Sequence, residues 1–364
     1  MLTNNDKITV PQTVAIMITS IIQIGLSLPR EAAVYGESDG WLLVIIGGIL
    51  AFLASLVLST LIRRFPNDTF IEYSEKVVGK VPALILGIVL IIYFAYATSV
   101  IVQISAEVIN AFMLQRTPRE FVIITQMLLT VYLIRHGVEP MARIAEILFP
   151  VLIVPIFAMY FIAIPKADFT ELLPILNTPL KSFALGSLNA MFSFFGIEIL
   201  LMLGPYMRSP KRIYWVMFVS VGVSTLIFLF VVIVVFASIG VENTKILLWP
   251  GMTIIRSITA PGRFIERLDA LALALWTIAS FTSLNTMYFA GSLALAHIAK
   301  VKEFKFFITI LFPWIYLFAT IPPNIIVSSR LLSIVKIGSI TVGFLIPLVI
   351  LLLAIIMKKE GKTA

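Results

Sequence analysis

The chain has 364 residues, of which 60% are hydrophobic and 13% charged, with a mean hydropathy of +1.06. A soluble domain carries about 25% charged residues, so a soluble globular fold is excluded and lipid must form part of the solvent. Cysteine is absent, which removes disulfides, thiolate metal sites and cysteine nucleophiles. The net charge of +8 belongs first to the loops of a membrane protein and gives no reason to invoke nucleic acid.

A membrane-spanning helix needs roughly 20 apolar residues. Stretches free of Asp, Glu, Lys and Arg run 8–29, 40–62, 81–106, 121–134, 147–165, 182–207 (interrupted only by Glu198), 213–241, 270–299, 306–329 and 337–357. These ten candidates predict an all-α polytopic membrane protein of about ten transmembrane helices, with no substantial soluble domain. The first run is too long for the apolar part of a cleavable signal peptide, and Pro29, Arg30 and Glu31 follow it in place of a small-residue cleavage site. The run at 121–134 is short and needs Thr117 to Glu120 and Arg135 to extend it at the interfaces.

Starting from a cytoplasmic N-terminus, Lys and Arg divide 16 to 11 between the alternate loop sets, cytoplasmic over outer. Four of the eleven lie in or beside the longest loop, 242–268, where the positive-inside bias weakens. Both termini are therefore expected in the cytoplasm. Residues 66–80 place Phe70, Tyr73, Val77 and Val78 at helical spacing, which predicts a short amphipathic helix on the cytoplasmic surface. Residues 246–255 are too short to span and read as an outer re-entrant or surface helix, or as a lid-like loop.

Irregular backbone survives in a membrane only where protein or water satisfies it. The first run ends IGLSLPRE (24–31), with Gly25 and Pro29 four apart; the sixth carries FFGIE (194–198), with Gly196 and Glu198 deep in an apolar segment. These fall in the first helix of each half, 8–165 and 182–357, of a single membrane domain over 1–364. Matching interruptions in matching helices point to an inverted-repeat transporter site, although Gly25 could equally serve packing alone. The third helix adds Tyr96, Ser99, Gln103, Glu107 and Asn110 on one face. The eighth adds Ala279, Thr282, Ser283, Thr286 and Ala290, a stripe that serves close packing or lets Thr282 and Thr286 line a pocket.

Glu198 is costly at membrane depth and so either hydrogen-bonds the backbone freed at the break or couples to a cation. Glu107 and Glu146 lie nearer the interfaces, where solvation or pairing, with Arg143 beside Glu146, accounts for them. A candidate ligand site follows: Gly25, Leu26, Ile101, Gly196, Ile197, Glu198, Leu201, Thr282 and Thr286. Its mainly apolar walls favour a small neutral ligand such as an aliphatic amino acid. Charged ligands are disfavoured, because among these residues only Glu198 could offset their desolvation. No phosphate loop, metal-ligand cluster or soluble catalytic domain is present to indicate an enzyme or a cofactor.

Three blocks in order carry a family resemblance. IGLSLPREAA followed by DGW (39–41), RFPNDTFIEYSEKVVGK (64–80) and FFGIEILLMLGPYMRSPKR (194–212) resemble the spore germination permeases, the B subunits of nutrient germinant receptors. That family is similar to the amino acid–polyamine–organocation transporters. The resemblance implies two inverted five-helix repeats with broken first and sixth helices, a LeuT-like fold. It also implies a small germinant as ligand, A and C partner subunits, and the spore inner membrane as location. A ligand-sensing receptor subunit and a working proton- or ion-coupled amino acid transporter both fit the residues, with a passive water or ion conduit as a third reading.

Overall fold

The computed structural model describes residues 7–257, 268–301, 303–322 and 325–361. Arg263, Arg267, Lys302 and Lys362, all counted among the loop charges, lie outside the described residues. The architecture is all-helical, with one isolated parallel bridge between Ile8 and Met207 among the described residues.

The first membrane segment is split. Helix α1 (Val10–Ile22) starts at a capping box, in which Thr9 and Gln12 satisfy each other's backbone N–H groups. It gives way to a tight 3₁₀ turn at Gln23–Leu26, and α2 (Leu28–Gly36) restarts with Pro29 in its first turn. The longer helices α3 (Gly40–Arg64), α5 (Lys80–Phe112), α7 (Val138–Ala163), α10 (Ile213–Ile239) and α13 (Leu268–Ile298) form the body of the molecule. Within it α5 packs along α13, and α1 lies against α7, α10 and α13. Large apolar side chains such as Ile85, Ile92, Val154, Leu226 and Leu352 stay on the outside, where lipid, not water, solvates them.

Among the described residues six helices are long and apolar enough to cross a membrane, counting Leu28–Arg64 as one, and the bent pair Leu180–Phe194 with Ile197–Tyr206 makes a seventh. The shorter apolar helices α1 and α14 (Lys305–Thr320), and α6 (Arg119–Ile134), occupy three further runs marked out by the sequence. Two boundaries differ from the apolar runs. The run 306–329 is not one helix: α14 stops at Thr320, and α15 (Ile325–Ile340) begins a rod that continues through a π-helical turn, Thr341–Leu345, into α16 (Ile346–Ile356). Arg330 and Lys336 therefore sit within the last membrane rod, not between two spans. Likewise α7 starts at Val138, so Glu139, Arg143 and Glu146 are helical. Arg143 pairs with Glu139 at 2.5 Å, while Glu146 stays exposed, so of the two alternatives for Glu146 solvation holds and pairing with Arg143 does not.

The amphipathic helix α4 (Phe70–Val78) forms, capped by Thr69 and Glu72. Its apolar residues Phe70, Tyr73 and Val77 are buried against protein, so the face expected to meet the bilayer serves as core. The segment after α10 folds as α11 (Val241–Ile246) and α12 (Pro250–Ser257), whose Met252, Ile254 and Ile255 are buried. The DGW block acquires a mechanical explanation. Asp39, fully buried, accepts the backbone N–H groups of Leu176, Asn177 and Thr178 at 2.6, 2.8 and 2.9 Å. Ser38 donates to the Pro174 carbonyl and Thr178 to that of Gly36. The connection between the two halves is thus tied to the corner between α2 and α3.

Candidate functional site

The sixth membrane segment breaks as its sequence requires. Helix α8 (Leu180–Met191) runs into a turn at Phe192–Phe194, and Gly196 takes φ +114°, a left-handed conformation that L side chains rarely adopt. The chain resumes through Ile197–Ile199 into the single turn α9 (Leu200–Leu203), with the two parts inclined at 48°. Glu198 is fully buried and folds back on this break. One carboxylate oxygen accepts the Gly196 N–H at 2.9 Å, and the other accepts the Tyr93 hydroxyl from α5.

The two breaks are neighbours. A Cβ at Gly196 would lie 3.2 Å from the Cβ of Ser20, in the last turn of α1. The Ser20 hydroxyl shares a hydrogen bond with Thr286 of α13 at 3.1 Å. The start of α1 is fixed to the end of the sixth segment as well: Ile8 N–H donates to Tyr206 O at 2.7 Å, and Arg208 N–H to Ile8 O at 2.9 Å. The two broken segments are therefore joined both at their breaks and where the start of α1 meets the end of the sixth segment.

The nine residues singled out from the sequence divide into groups. Gly196, Glu198 and Thr286 gather where the breaks meet. Thr282 and Thr286 direct their hydroxyls to carbonyls of their own helix, Ala279 and Ser283 respectively. Ile101 and Leu201 are buried in the core. Ile197 lines a cavity of only about 20 Å³ together with Phe195 and Gly343. Gly25 backs onto Phe228 of α10, and Leu26 faces a large cavity.

That cavity, of about 710 Å³, lies beside the first break, between α2, α5, α8, α13, α15 and the Leu248–Trp249 stretch that precedes α12. Small-molecule sites span roughly 300–1,000 Å³. Gln23 and Trp276 both line it, and the Trp276 indole donates to the Gln23 carbonyl at 3.0 Å. The Gln23 side chain is buried and its Oε1 has no hydrogen-bond partner among the described residues. Leu26, Phe192 and Trp249 supply apolar surface. Arg30, Glu31 and Lys336 supply charge: the Lys336 ammonium meets both Glu31 oxygens at 2.7 and 2.6 Å, and Asn189 Oδ1 at 3.2 Å, while Arg30 donates to the Lys245 carbonyl.

Sequence reasoning missed Gln23, Glu31, Asn189 and Lys336. Arg30 and Glu31 read as the end of an apolar run, and Lys336 as a loop charge. The i, i+4 spacing of Ser27 and Glu31, which hydrogen-bond at 3.3 Å, was the available hint that the helix continues.

The polar stripe of α5 forms a separate network. Gln103 donates to Ser328 at 2.5 Å, Ser328 donates to Glu107 at 2.8 Å, and Arg119 lies 3.5 Å from Glu107. Pairing thus accounts for Glu107, as expected.

The chain matches the family model described as spore germination protein over residues 7–328. It is 29% identical to spore germination protein YndE of Bacillus subtilis (strain 168) over 326 residues, covering 89% of this chain and 90% of that one. Identity is 26% to spore germination protein B2 of the same organism, over 82% of each chain. It is 24% to spore germination protein GerLB of Bacillus cereus, over 94% of this chain and 93% of that one. Among solved structures, MhsT in complex with L-phenylalanine superposes with a TM-score of 0.74 at 17% identity, covering 96% of this chain and 89% of MhsT. Mhp1, a nucleobase-cation-symport-1 family transporter in a closed conformation with bromovinylhydantoin bound, gives 0.66 at 11%, covering 94% and 79%. Both are LeuT-fold transporters, and the all-helical architecture with broken first and sixth helices is theirs. The match across 7–328 makes this chain a member of the spore germination protein family, built on a LeuT-like transporter fold.

Proposed function

We infer that the protein is the B-type membrane subunit of a nutrient germinant receptor, and that it binds a small amino acid where the two broken helices meet. The observation that carries this reading is the placement of the breaks at Gln23–Leu26 and Gly196 side by side, next to a cavity of about 710 Å³. Broken helices leave backbone N–H and C=O groups able to hold carboxylate and ammonium groups at membrane depth. The complex of MhsT with L-phenylalanine supports an amino acid as ligand in that fold. We assign the two repeats to 8–165 and 182–357, each led by a broken helix. Association with A and C subunits in the spore inner membrane completes the proposal.

Isothermal titration of the purified protein against neutral amino acids, sugars and nucleosides tests the ligand class. Saturable binding confined to amino acids is expected. Binding of a sugar or nucleoside alone would overturn the assignment.

The orientation is read from the loop charges, with both termini in the spore core. The chain has no native cysteine, so single-cysteine variants report without background. Ser209→Cys and Glu303→Cys should react with an impermeant maleimide only from the cytoplasmic side, and Thr117→Cys and Asn243→Cys only from outside. The opposite pattern would invert the topology.

A further inference from the structure

The cavity of about 710 Å³ is lined by three charged side chains: Glu31 and Lys336 face each other, and Arg30 is turned to the Lys245 carbonyl, to which its Nε donates at 3.1 Å. Glu31 comes from α2 and Lys336 from α15, 305 positions apart in sequence, while Asn189 of α8 accepts from the same ammonium. Neither charge is sealed off: the Lys336 side chain is 12% exposed and that of Glu31 21%. Close by, the buried Gln23 side chain offers an acceptor oxygen with no partner among the described residues. The rest of the lining is largely apolar, including Trp249, Trp276 and Phe192.

A half-buried ion pair constrains what can displace it. A solute with one charge takes one partner and strands the other in a poorly hydrated wall, which is strongly unfavourable. A zwitterion brings both charges a few ångströms apart. Its carboxylate can replace Glu31 at the Lys336 ammonium while its own ammonium faces Glu31, with Gln23 Oε1 as a further acceptor. Every charge keeps a partner, and the net charge of the cavity does not change. The surrounding rings and aliphatic groups would then cover an apolar side chain.

We propose that Glu31, Lys336 and Asn189 form an outer recognition site for the zwitterionic head group of an apolar α-amino acid, distinct from the site where the helices break. Charge selection is thereby exercised by side chains in the open cavity, before a ligand reaches the backbone of the breaks. The inference rests on the amino acid reading above and adds the residues that enforce it.

The test uses L-alanine, L-leucine and L-phenylalanine, each alongside its decarboxylated amine and its deaminated acid, titrated into the purified full-length protein. Wild type should prefer the zwitterion in at least one set. Lys336→Met should lose about 30-fold or more in affinity for it and rank the amine above it. Glu31→Gln should rank the acid above it. Such a reversal of ligand class is not something a merely structural ion pair would produce. If an unpaired charge prevents either single variant from folding, the double variant Glu31→Gln/Lys336→Met removes both charges and should bind without preferring the zwitterion. Wild-type binding with an unchanged order of preference in the variants would overturn this site and leave the amino acid reading standing. No binding of any probe by wild type would overturn both.

Discussion

Glu198→Ala should sharply lower the amount of folded protein, whereas Glu198→Gln should leave it close to wild type. The carboxylate is fully buried, and its oxygens are engaged by the Gly196 N–H and the Tyr93 hydroxyl. Truncation to alanine strands both donors and empties the space between α5, the break and the π-helical turn, where Gly343 closely approaches the Glu198 side chain. Each orphaned buried donor costs about 1–3 kcal/mol, so a loss on the order of 3 kcal/mol or more is expected. That is a large part of the 5–15 kcal/mol typical of a domain. Glutamine keeps the shape and an acceptor oxygen for Gly196, and the Tyr93 oxygen can accept from its amide. Monodisperse yield and the midpoint of thermal unfolding in detergent measure the difference. If Glu198→Gln instead folds normally while abolishing the germinant response together with a measurable proton flux, the carboxyl is a coupling group and its role at the break is secondary.

The arrangement explains why this glutamate was legible in the sequence and its partner was not. A lone acid in a run of apolar residues beside a glycine marks a break in any membrane helix. Tyr93, by contrast, lies 105 positions away among other aromatic residues with nothing local to single it out. The same contrast holds across the molecule. Apolar runs located the membrane helices because the lipid requirement acts on each segment separately. They misplaced the start of the last rod because Lys336 interrupts the run, although its charge is neutralised within the protein by Glu31. The one-faced stripe of α5 was visible from its 3–4 spacing, yet Ser328, which joins Gln103 to Glu107, could be identified only in three dimensions. Helix periodicity records which face of an element is special, not what it meets. The cavity beside the first break went unseen for that reason: its charged pair and Asn189 come from three different helices.

Gly25 illustrates how position in the fold changes the physical content of a substitution. From the sequence it stood at a helix break, either as part of the ligand site or as a packing residue alone. In the fold, a Cβ at Gly25 would lie 2.5 Å from Cε1 and 3.1 Å from Cδ1 of Phe228. That ring is 2% exposed and packs edge-on against Phe194, with centroids 5.5 Å apart, at the break of the sixth segment. It has little room to swing away without moving Phe194 and the turn that leads into Gly196. Gly25→Ala is therefore expected to cost about 1–3 kcal/mol through overpacking and to weaken the germinant response. Gly25→Leu should abolish the response, since three further carbons must be housed in the same place. The double variant Gly25→Ala/Phe228→Leu separates steric from ligand effects, because shortening residue 228 opens the space that the new methyl group needs. Recovery of thermal stability and of the germinant dose–response in the double variant would place the effect of Gly25 in its packing against α10. A response that stays impaired while stability recovers would return Gly25 to the wall of the ligand site.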